Sequence, residues 1–234
     1  MQSNVLDYSV ADAVCTITLN RPDSLNSFNH ELRTDLLKAL QIAEAHKAVR
    51  VIVLKGSGKG FCAGADLGEG LERDIEKELK EEYKPFLMAI HDSSKVCIAQ
   101  VHGCAAGIGA GLAMVCDLVV MSQDAYVYLA FAAIGLVPDG GLNWHLYNSL
   151  GPRKAFETIV EGKRLSAEEC LHYGICNEVV PFENLEASVL ERAAKIAKGA
   201  PLAQAAVKKI MRQTGSMTLS QTIDFEAEIQ KPLA

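Results

Sequence analysis

The stretch that decides the fold joins a strand, a glycine-rich turn, a helix and a second strand, in the order Lys95-Val-Cys-Ile-Ala-Gln-Val-His-Gly-Cys-Ala-Ala-Gly-Ile-Gly-Ala-Gly-Leu-Ala-Met-Val-Cys-Asp-Leu-Val-Val-Met-Ser122. Lys95 to Val101 predicts the first strand, and Asp117 to Ser122 predicts the second. Between them, Gly103 to Gly111 predicts a turn that opens into a helix ending near Met114. Such a turn points unpaired backbone N–H groups at an anion, although the glycines could equally serve only close packing of helix on strand.

Strands and helices alternate on both sides of this stretch. Cys15 to Leu19 alternates apolar and polar residues, as a half-buried strand does, and the apolar run 49–55 predicts a strand buried on both faces. Asn29 is placed to cap a helix. The apolar face of that helix carries Leu32, Leu36, Leu40 and Ala43.

The second half of the chain becomes helical after Gly141. Short strands are expected to continue toward Val137, and one more strand is expected at 177–180. Helices are expected near 142–150, 152–161, 166–172, 183–198 and 201–213. The whole pattern predicts an α/β fold with a helical C-terminal part.

A charged segment separates the second and third strands. It runs from Gly68 to Ser93, with Leu71, Ile75 and Leu79 four residues apart. Its Glu and Lys residues are typical of a solvated helix face rather than of a binding site.

Composition limits the function classes. With 234 residues, 49% hydrophobic and 22% charged, the chain can bury one sizeable core. A net charge of -6 argues against nucleic acid or an anionic membrane as the main partner. Seven cysteines without a CxxC pair predict reduced, buried thiols in a cytoplasmic compartment. No apolar run approaches the roughly 18 residues of a membrane span, and the N-terminus does not resemble a signal peptide.

One carboxylate stands in an otherwise apolar stretch, Ile134-Gly-Leu-Val-Pro-Asp-Gly-Gly141. Asp139 is flanked by Leu136, Val137, Leu142 and Trp144, and desolvation by these neighbours would raise its pKa toward that of a base useful near neutral pH. Pro-Asp-Gly is also the signature of a type I turn, so a purely structural role is the alternative.

A second glycine-containing turn, Lys59-Gly-Phe-Cys-Ala-Gly-Ala-Asp-Leu67, also follows a buried strand. Two such turns could together offer two amides to one oxygen. Cys62 is a possible nucleophile, but no neighbouring His or Lys is placed to activate it, which favours a packed thiol. Leu112 breaks the dinucleotide-binding GxGxxG pattern, and no phosphate-binding loop is present. The six histidines show no metal-binding spacing, so no metal site is expected.

Three motifs in this order resemble the crotonase (enoyl-CoA hydratase/isomerase) superfamily: Phe61-Cys-Ala-Gly-Ala-Asp-Leu67, the run 101–117 and Ile134-Gly-Leu-Val-Pro-Asp139. Asn20-Arg-Pro-Asp-Ser-Leu-Asn26 and the run 162–174 agree with the same family. The resemblance implies a spiral of repeated ββα units over residues 1–182 and a helical region over 183–234 that serves oligomerisation. Family members usually continue past the point that matches Lys231, so this helical region is expected to be shortened.

The resemblance also implies an acyl-CoA thioester as ligand, with no cofactor beyond the coenzyme A of the substrate, and a homotrimer or dimer of trimers. The backbone N–H groups of Ala65 and Ile108 would form an oxyanion hole for the thioester oxygen. The implied ligand contacts are Leu25, Ala63, Gly64, Ala65, Asp66, Leu67, Ile108, Phe131 and Trp144.

Two departures from the family narrow the reaction. Hydratases of this superfamily hold water between two glutamates, and the matching positions here are Gly111 and Phe131. Each missing acid or base is worth roughly 10² to 10⁴ in rate, so ordinary hydration is not expected. Asp139 instead matches the aspartate of isomerase-type members. The sequence therefore predicts an acyl-CoA double-bond isomerase with Asp139 as base.

Other outcomes stay open at this point. The alternatives are another crotonase-type reaction or a CoA-binding subunit without activity. The other reactions are ring-epoxide isomerisation, hydration, and dehalogenation with Asp139 as nucleophile and His91 or His145 activating water.

Overall fold

The structure, a computed structural model, describes residues 2–69 and 74–233. The strands are β1 (Leu6–Ala11), β2 (Val14–Leu19), β3 (Val51–Gly56), β4 (Val96–Val101), β5 (Cys104–Ala106), β6 (Leu118–Ser122), β7 (Tyr126–Tyr128), β8 (Arg164–Ser166) and β9 (Glu178–Val180). The helices are α1 (His30–Ala45), α2 (Ile75–Glu78), α3 (Lys84–Asp92), α4 (Ile108–Met114), α5 (Leu142–Val160), α6 (Ala167–His172), α7 (Phe182–Ala197), α8 (Pro201–Thr214) and α9 (Leu219–Gln230).

Two sheets organise the chain. The larger sheet has the order β1-β2-β3-β4-β6-β9, with β1 antiparallel to β2 and the other pairs parallel. The smaller sheet has the order β5-β7-β8. Alternation of parallel strands and helices, followed by helices at the C-terminal end, confirms the predicted α/β class.

The central strands are buried on both faces, as their continuous apolar sequence predicts. In β3, Ile52 and Leu54 join the main core, whereas Val51 and Val53 face a second cluster. That second cluster is closed by α7, which contributes Leu185, Val189 and Ala193. The division of the chain at residue 182 stays a prediction.

The strand, turn and helix of the deciding stretch are confirmed. β4 is followed by the short strand β5, and Gly107 then stands before α4 with a φ of 50°. A positive φ is the conformation that glycine adopts without strain. Every residue of α4 is buried, so the glycines of this helix also serve close packing.

The predicted start of α1 is also confirmed. The Asn29 side chain accepts a hydrogen bond from the Leu32 amide at 2.9 Å, which is a helix N-cap. All four apolar residues of the predicted face are buried: Leu32, Leu36, Leu40 and Ala43.

Several element predictions were wrong in detail. Strands do not continue to Val137, because the chain after β7 forms a 3₁₀ turn at Ala132–Ile134 and then an irregular segment. The two helices expected at 142–150 and 152–161 are confirmed as the two parts of α5, which is broken at Gly151, where a φ of 74° precedes Pro152. β1, β5, β8 and α9 were not predicted. In β1 only Leu6 is buried, so its apolar pattern is weak. β8 is a three-residue edge strand that pairs with β7, which is distant in sequence.

The charged segment is helical where the structure describes it, and predicted face residue Leu71 lies outside the described residues. Between α2 and α3 the helix widens into a π-turn over Leu79–Tyr83, in which the Lys84 amide donates to the Leu79 carbonyl. Pro85 accounts for the widening, because a proline inside a helix cannot donate to the carbonyl four residues before it.

Candidate active site

The two glycine-containing turns face each other. A Cβ on Gly64, whose φ is 98°, would lie 2.8 Å from the Ala106 carbonyl oxygen, so only glycine fits there. A bridge between Cys62 and Ala105 joins the same two segments. The loops that leave β3 and β4 are thereby held side by side.

Asn26 holds the first of these turns. Its buried side chain donates to the carbonyls of Ser57 (2.8 Å) and Gly60 (2.9 Å) and accepts from the Arg21 amide (2.9 Å). The Ala63 amide donates to the carbonyl of Leu25, which has a left-handed φ of 51°. The polar motif at 20–26 is therefore the support of the 56–65 loop.

The amides of Ala65 and Ile108 lie where the two turns meet. Ala65 is bridged to Phe28, whose own amide donates to Gly64 at 2.7 Å. Ile108 is the first residue of α4, where a helix leaves its N–H groups without partners in the helix. Neither amide hydrogen-bonds to an acceptor within the part of the chain that the structure describes.

A cavity of about 220 Å³, the first cavity, is lined by Ala65, Ile108 and Asp139. It is lined by residues 63–67, 75, 78, 79, 83, 106–108, 130, 131, 134, 136 and 139. Six of the predicted ligand contacts thus come together with the predicted base, namely Ala63, Gly64, Ala65, Asp66, Leu67 and Ile108, and Phe131 joins them.

Asp139 is largely buried, and this burial raises the pKa of its carboxyl to about 6. Its own backbone amide lowers the pKa, and the negative charge of Glu78 raises it again. Oδ1 is buried without a hydrogen-bond partner among the described residues. A carboxylate in this setting is more basic than one in water and has an oxygen available to a ligand.

The turn at Asp139 differs from the predicted type I turn. The Asp139 carbonyl accepts from the Leu142 amide at 3.0 Å, and the two central residues, Gly140 and Gly141, both have positive φ. The turn therefore begins at Asp139 instead of being centred on Pro138. Two adjacent glycines make this possible, because both central positions need left-handed φ.

The expected neighbours do not bury Asp139. Val137 is 78% exposed and Trp144 is 64% exposed, so only Leu142 of the four flanking residues lies in the core. Leu79 and Tyr83, which are distant in sequence, line the first cavity together with Asp139. Adjacency in an irregular segment does not determine which side chains face the core.

A second cavity of about 370 Å³ lies on the other side of Asp139. It shares Leu79, Tyr83 and Asp139 with the first cavity. Trp144 and His145 line only this second cavity, together with Leu87, Met88, His91 and Val115. Burial lowers the pKa of His145 to about 4, so its imidazole is neutral at neutral pH.

Sequence reasoning missed one of the carboxylates that line the first cavity with Asp66 and Asp139, namely Glu78. Glu78 is brought there by α2, and its Oε1 lies 3.1 Å from Nη1 of the buried Arg33. Predicting the charged segment as a solvated face was wrong for this residue. Only a weak indication of this was present in the sequence: Glu78 stands next to Leu79 and three residues after Ile75, on the apolar side of the segment.

Three further residues singled out from the sequence are Leu25, Asp66 and Cys62. Leu25 is partly exposed at the surface beside the Ala63 segment. The pKa of Asp66 is lowered by a hydrogen bond from Arg21, with Nη2 2.8 Å from Oδ2. Burial raises the pKa of the Cys62 thiol to about 12, which agrees with a packed thiol.

The described ranges 2–69 and 74–233 hold no group of three His, Cys, Asp or Glu side chains arranged to bind a metal ion. None of their helices has the length and apolar character needed to cross a membrane.

Comparison with known proteins identifies the family. The model of the family described as enoyl-CoA hydratase/isomerase matches residues 9–234. The chain belongs to the enoyl-CoA hydratase/isomerase family. It is therefore an enzyme of the crotonase superfamily, and the predicted crotonase-like fold is confirmed.

Individual relatives carry both reaction names. A Rhodobacter capsulatus protein named "Probable enoyl-CoA hydratase" is 37% identical, covering 100% of this chain and 91% of its own. The 1,2-epoxyphenylacetyl-CoA isomerase of Escherichia coli is 33% identical over 95% of this chain and 87% of its own. A solved enoyl-CoA hydratase subunit I from Geobacillus kaustophilus superposes with a TM-score of 0.94 at 30% identity, covering 100% of this chain and 91% of that one.

Gly111 and Phe131 occupy the two positions where hydratases of the family carry glutamate. A Cβ on Gly111 would lie 2.9 Å from the Gly140 carbonyl oxygen, so the turn after Asp139 fills the space of a side chain there. Phe131 is buried, and its ring lies 3.7 Å from where a Cβ on Gly107 would be. Neither position can supply the family's carboxylate.

Proposed function

We propose that this member of the enoyl-CoA hydratase/isomerase family is an acyl-CoA double-bond isomerase that converts 3-enoyl-CoA to 2-enoyl-CoA. The observation that carries the proposal is one cavity containing a basic, buried carboxyl of Asp139 and two backbone amides, of Ala65 and Ile108, without acceptors among the described residues. The acyl-CoA substrate follows from the family.

The proposed reaction needs one base and one oxyanion site. The Asp139 carboxylate removes a proton from C2, the carbon between the thioester and the double bond. The electrons move onto the thioester oxygen, which the amides of Ala65 and Ile108 stabilise as a dienolate. Asp139 then returns the proton to C4, so that the double bond ends between C2 and C3 and the carboxylate is restored.

Apolar surroundings support this role. Phe131 and Leu79 line the cavity around the carboxyl, and low solvation keeps Asp139 more basic than an exposed aspartate. The ligand contacts predicted at Leu25 and at 63–67 would bind the coenzyme A part, and Trp144 would contact the acyl group from the second cavity.

A second candidate is isomerisation of a ring epoxide on an aryl-CoA. The relative named 1,2-epoxyphenylacetyl-CoA isomerase favours it. The second cavity of about 370 Å³ beside Asp139 has room for a ring.

The test offers the purified protein trans-3-octenoyl-CoA and follows conjugated 2-enoyl-CoA by its ultraviolet absorbance. Asp139→Asn is expected to lower kcat about 10²- to 10⁴-fold, because it removes the general base and keeps the side chain's shape. Asp124→Asn, an exposed aspartate outside both cavities, should keep the wild-type rate. Equal rates for wild type and Asp139→Asn would show that Asp139 is not the base.

A further inference from the structure

Tyr83 brings a buried hydroxyl group to the proposed active site, and the isomerase mechanism does not use it. The residue is only 3% exposed. Among the described residues, Tyr83, Leu79 and Asp139 are the three that line both cavities. An acyl group that holds its thioester oxygen at the amides of the first cavity and extends into the second cavity therefore passes Tyr83.

Arg33 and two aromatic rings fix the position of the Tyr83 side chain. Nη1 of Arg33 donates to the Tyr83 hydroxyl oxygen at 3.2 Å, and the guanidinium carbon lies 5.0 Å from the ring centroid. The ring also makes edge contacts with Phe28 and Phe86, each with a centroid distance of 5.9 Å. Because the hydroxyl oxygen accepts from Arg33, its own hydrogen points away from the guanidinium.

The hydroxyl hydrogen of Tyr83 has no acceptor within the part of the chain that the structure describes. Burial raises the pKa of Tyr83, and the negative charges of Glu78 and Asp139 raise it further. The hydroxyl is therefore protonated at neutral pH, and it is near enough to Asp139 for the two groups to interact. The site thus holds a buried hydrogen-bond donor beside the proposed base.

Holding Arg33 in place does not explain the hydroxyl. Nη1 of a guanidinium carries two hydrogens, and here the Phe28 carbonyl and Glu78 Oε1 each lie 3.1 Å from it. Nε of Arg33 pairs with Glu82 at 2.7 Å. A phenylalanine in place of Tyr83 would keep the ring contacts and leave Arg33 paired. A buried hydroxyl costs free energy unless its hydrogen meets an acceptor, which indicates a role toward the ligand.

We propose that Tyr83 is a specificity-determining residue that donates a hydrogen bond to an oxygen on the acyl group, beyond the thioester. The preferred ligands are then acyl-CoA thioesters with a carbonyl or ether oxygen in the acyl chain. A plain hydrocarbon chain would displace water from the hydroxyl and leave its hydrogen without an acceptor. A site built around such a donor discriminates against ligands that lack the acceptor. This inference rests on the acyl-CoA site proposed above and not on its isomerase activity.

The test compares the binding of saturated acyl-CoAs that differ by one carbonyl group. The ligands are octanoyl-CoA and its 4-oxo, 5-oxo and 6-oxo derivatives, which place the oxygen at three distances from the thioester. Isothermal titration calorimetry measures Kd for wild type and Tyr83→Phe. For at least one oxo ligand, Tyr83→Phe should reduce the preference over octanoyl-CoA about tenfold, because the hydrogen bond is lost and the hydrocarbon chain no longer buries an unpaired hydroxyl.

A spectroscopic measurement distinguishes a hydrogen bond from a change in packing. The infrared stretching band of a ¹³C-labelled ketone in that oxo ligand should lie at a lower wavenumber in wild type than in Tyr83→Phe. Tyr147→Phe is the matched control, because Tyr147 is exposed and lines neither cavity, and it should keep the wild-type preference and band. Far-ultraviolet circular dichroism and thermal unfolding establish that the compared proteins are folded.

The outcomes separate this proposal from the isomerase proposal. Equal Kd ratios for wild type and Tyr83→Phe at all three oxo positions, or a ketone band that is the same in both proteins, overturn the assignment of Tyr83. None of these ligands has a double bond, so the result holds whether or not trans-3-octenoyl-CoA is isomerised. If octanoyl-CoA and the oxo ligands all fail to bind wild type, the acyl-CoA site that both proposals share is overturned.

Discussion

Asp139 has two roles, one for its backbone in a turn and one for its carboxyl in the proposed reaction. Its carbonyl accepts the hydrogen bond that closes the turn before α5, and the residue lines both cavities. Burial raises its pKa, so the folded state holds this proton more tightly than the unfolded state does. Stability linked to Asp139 is therefore complete below the unfolded pKa and is lost as the pH rises through about 6.

Asp139→Asn is accordingly expected to stabilise the protein at neutral pH. The carboxyl pKa is raised from 3.8 to about 6, and each pKa unit corresponds to about 1.4 kcal/mol. At about pH 7.5 the free energy of unfolding should rise on the order of 2 kcal/mol, and the gain should shrink by about half at about pH 5. Urea unfolding at the two pH values measures this. A variant no more stable than wild type at either pH would contradict the burial of an ionisable Asp139.

At the scale of elements, the site depends on close contacts between α4 and the turn before α5. Gly111 stands inside α4 with its Cα against the Gly140 carbonyl, and Ile108 of the same helix packs on Gly140. The site also depends on the π-turn between α2 and α3. This turn follows Glu78 and includes Tyr83, which lines both cavities.

Gly111→Ala is expected to destabilise the protein although alanine favours helices. In an open helix the change would stabilise by up to about 1 kcal/mol, but here the new Cβ would lie 2.9 Å from a backbone oxygen. The overpacking should cost about 1 to 3 kcal/mol in the free energy of unfolding, measured by urea titration. Gly215→Ala is the control, because none of the described residues comes within 4 Å of a Cβ there. Equal stability of the two variants would show that the turn at Gly140 moves to accommodate the new methyl group at little cost in free energy.

At the scale of the whole molecule, α8 and α9 present an apolar groove. It is lined by Val207, Ile210, Met211 and Ile223, and Met211 is 61% exposed. An exposed apolar surface of this kind is typical of an interface. We expect it to contribute to the homotrimer, or dimer of trimers, that the family resemblance implies.

Met211→Lys should therefore lower the oligomeric state, because a charge would be buried at the interface. Sedimentation velocity of wild type and variant measures the change. Leu171→Lys, at an exposed leucine on α6 away from the groove, should behave as wild type. If Met211→Lys sediments as wild type does, this groove is not the interface. The cytoplasmic location likewise stays a prediction.

Local sequence was sufficient for much of the fold. The apolar run of β3, the Asn29 cap of α1 and the glycine-rich entry to α4 each depend on neighbours within a few residues, and each was confirmed. The edge strand β1 was missed because only Leu6 of its residues is buried, and β8 was missed because its three residues pair with β7, which is distant in sequence. The π-turn was missed because Pro85 acts on a helix that otherwise has an ordinary pattern.

The sequence by itself determined the family, the two amide-bearing turns and the single aspartate among apolar residues, because glycine placement and polarity are local properties. Only the tertiary structure decided what surrounds that aspartate. Leu79 and Tyr83 line the cavity beside it, whereas Val137 and Trp144 are largely exposed, and Arg33 pairs with Glu78, which lines the same cavity. Burial and charge pairing depend on segments far apart in the chain, so the acid-base character of the site could be known only once those segments were packed together.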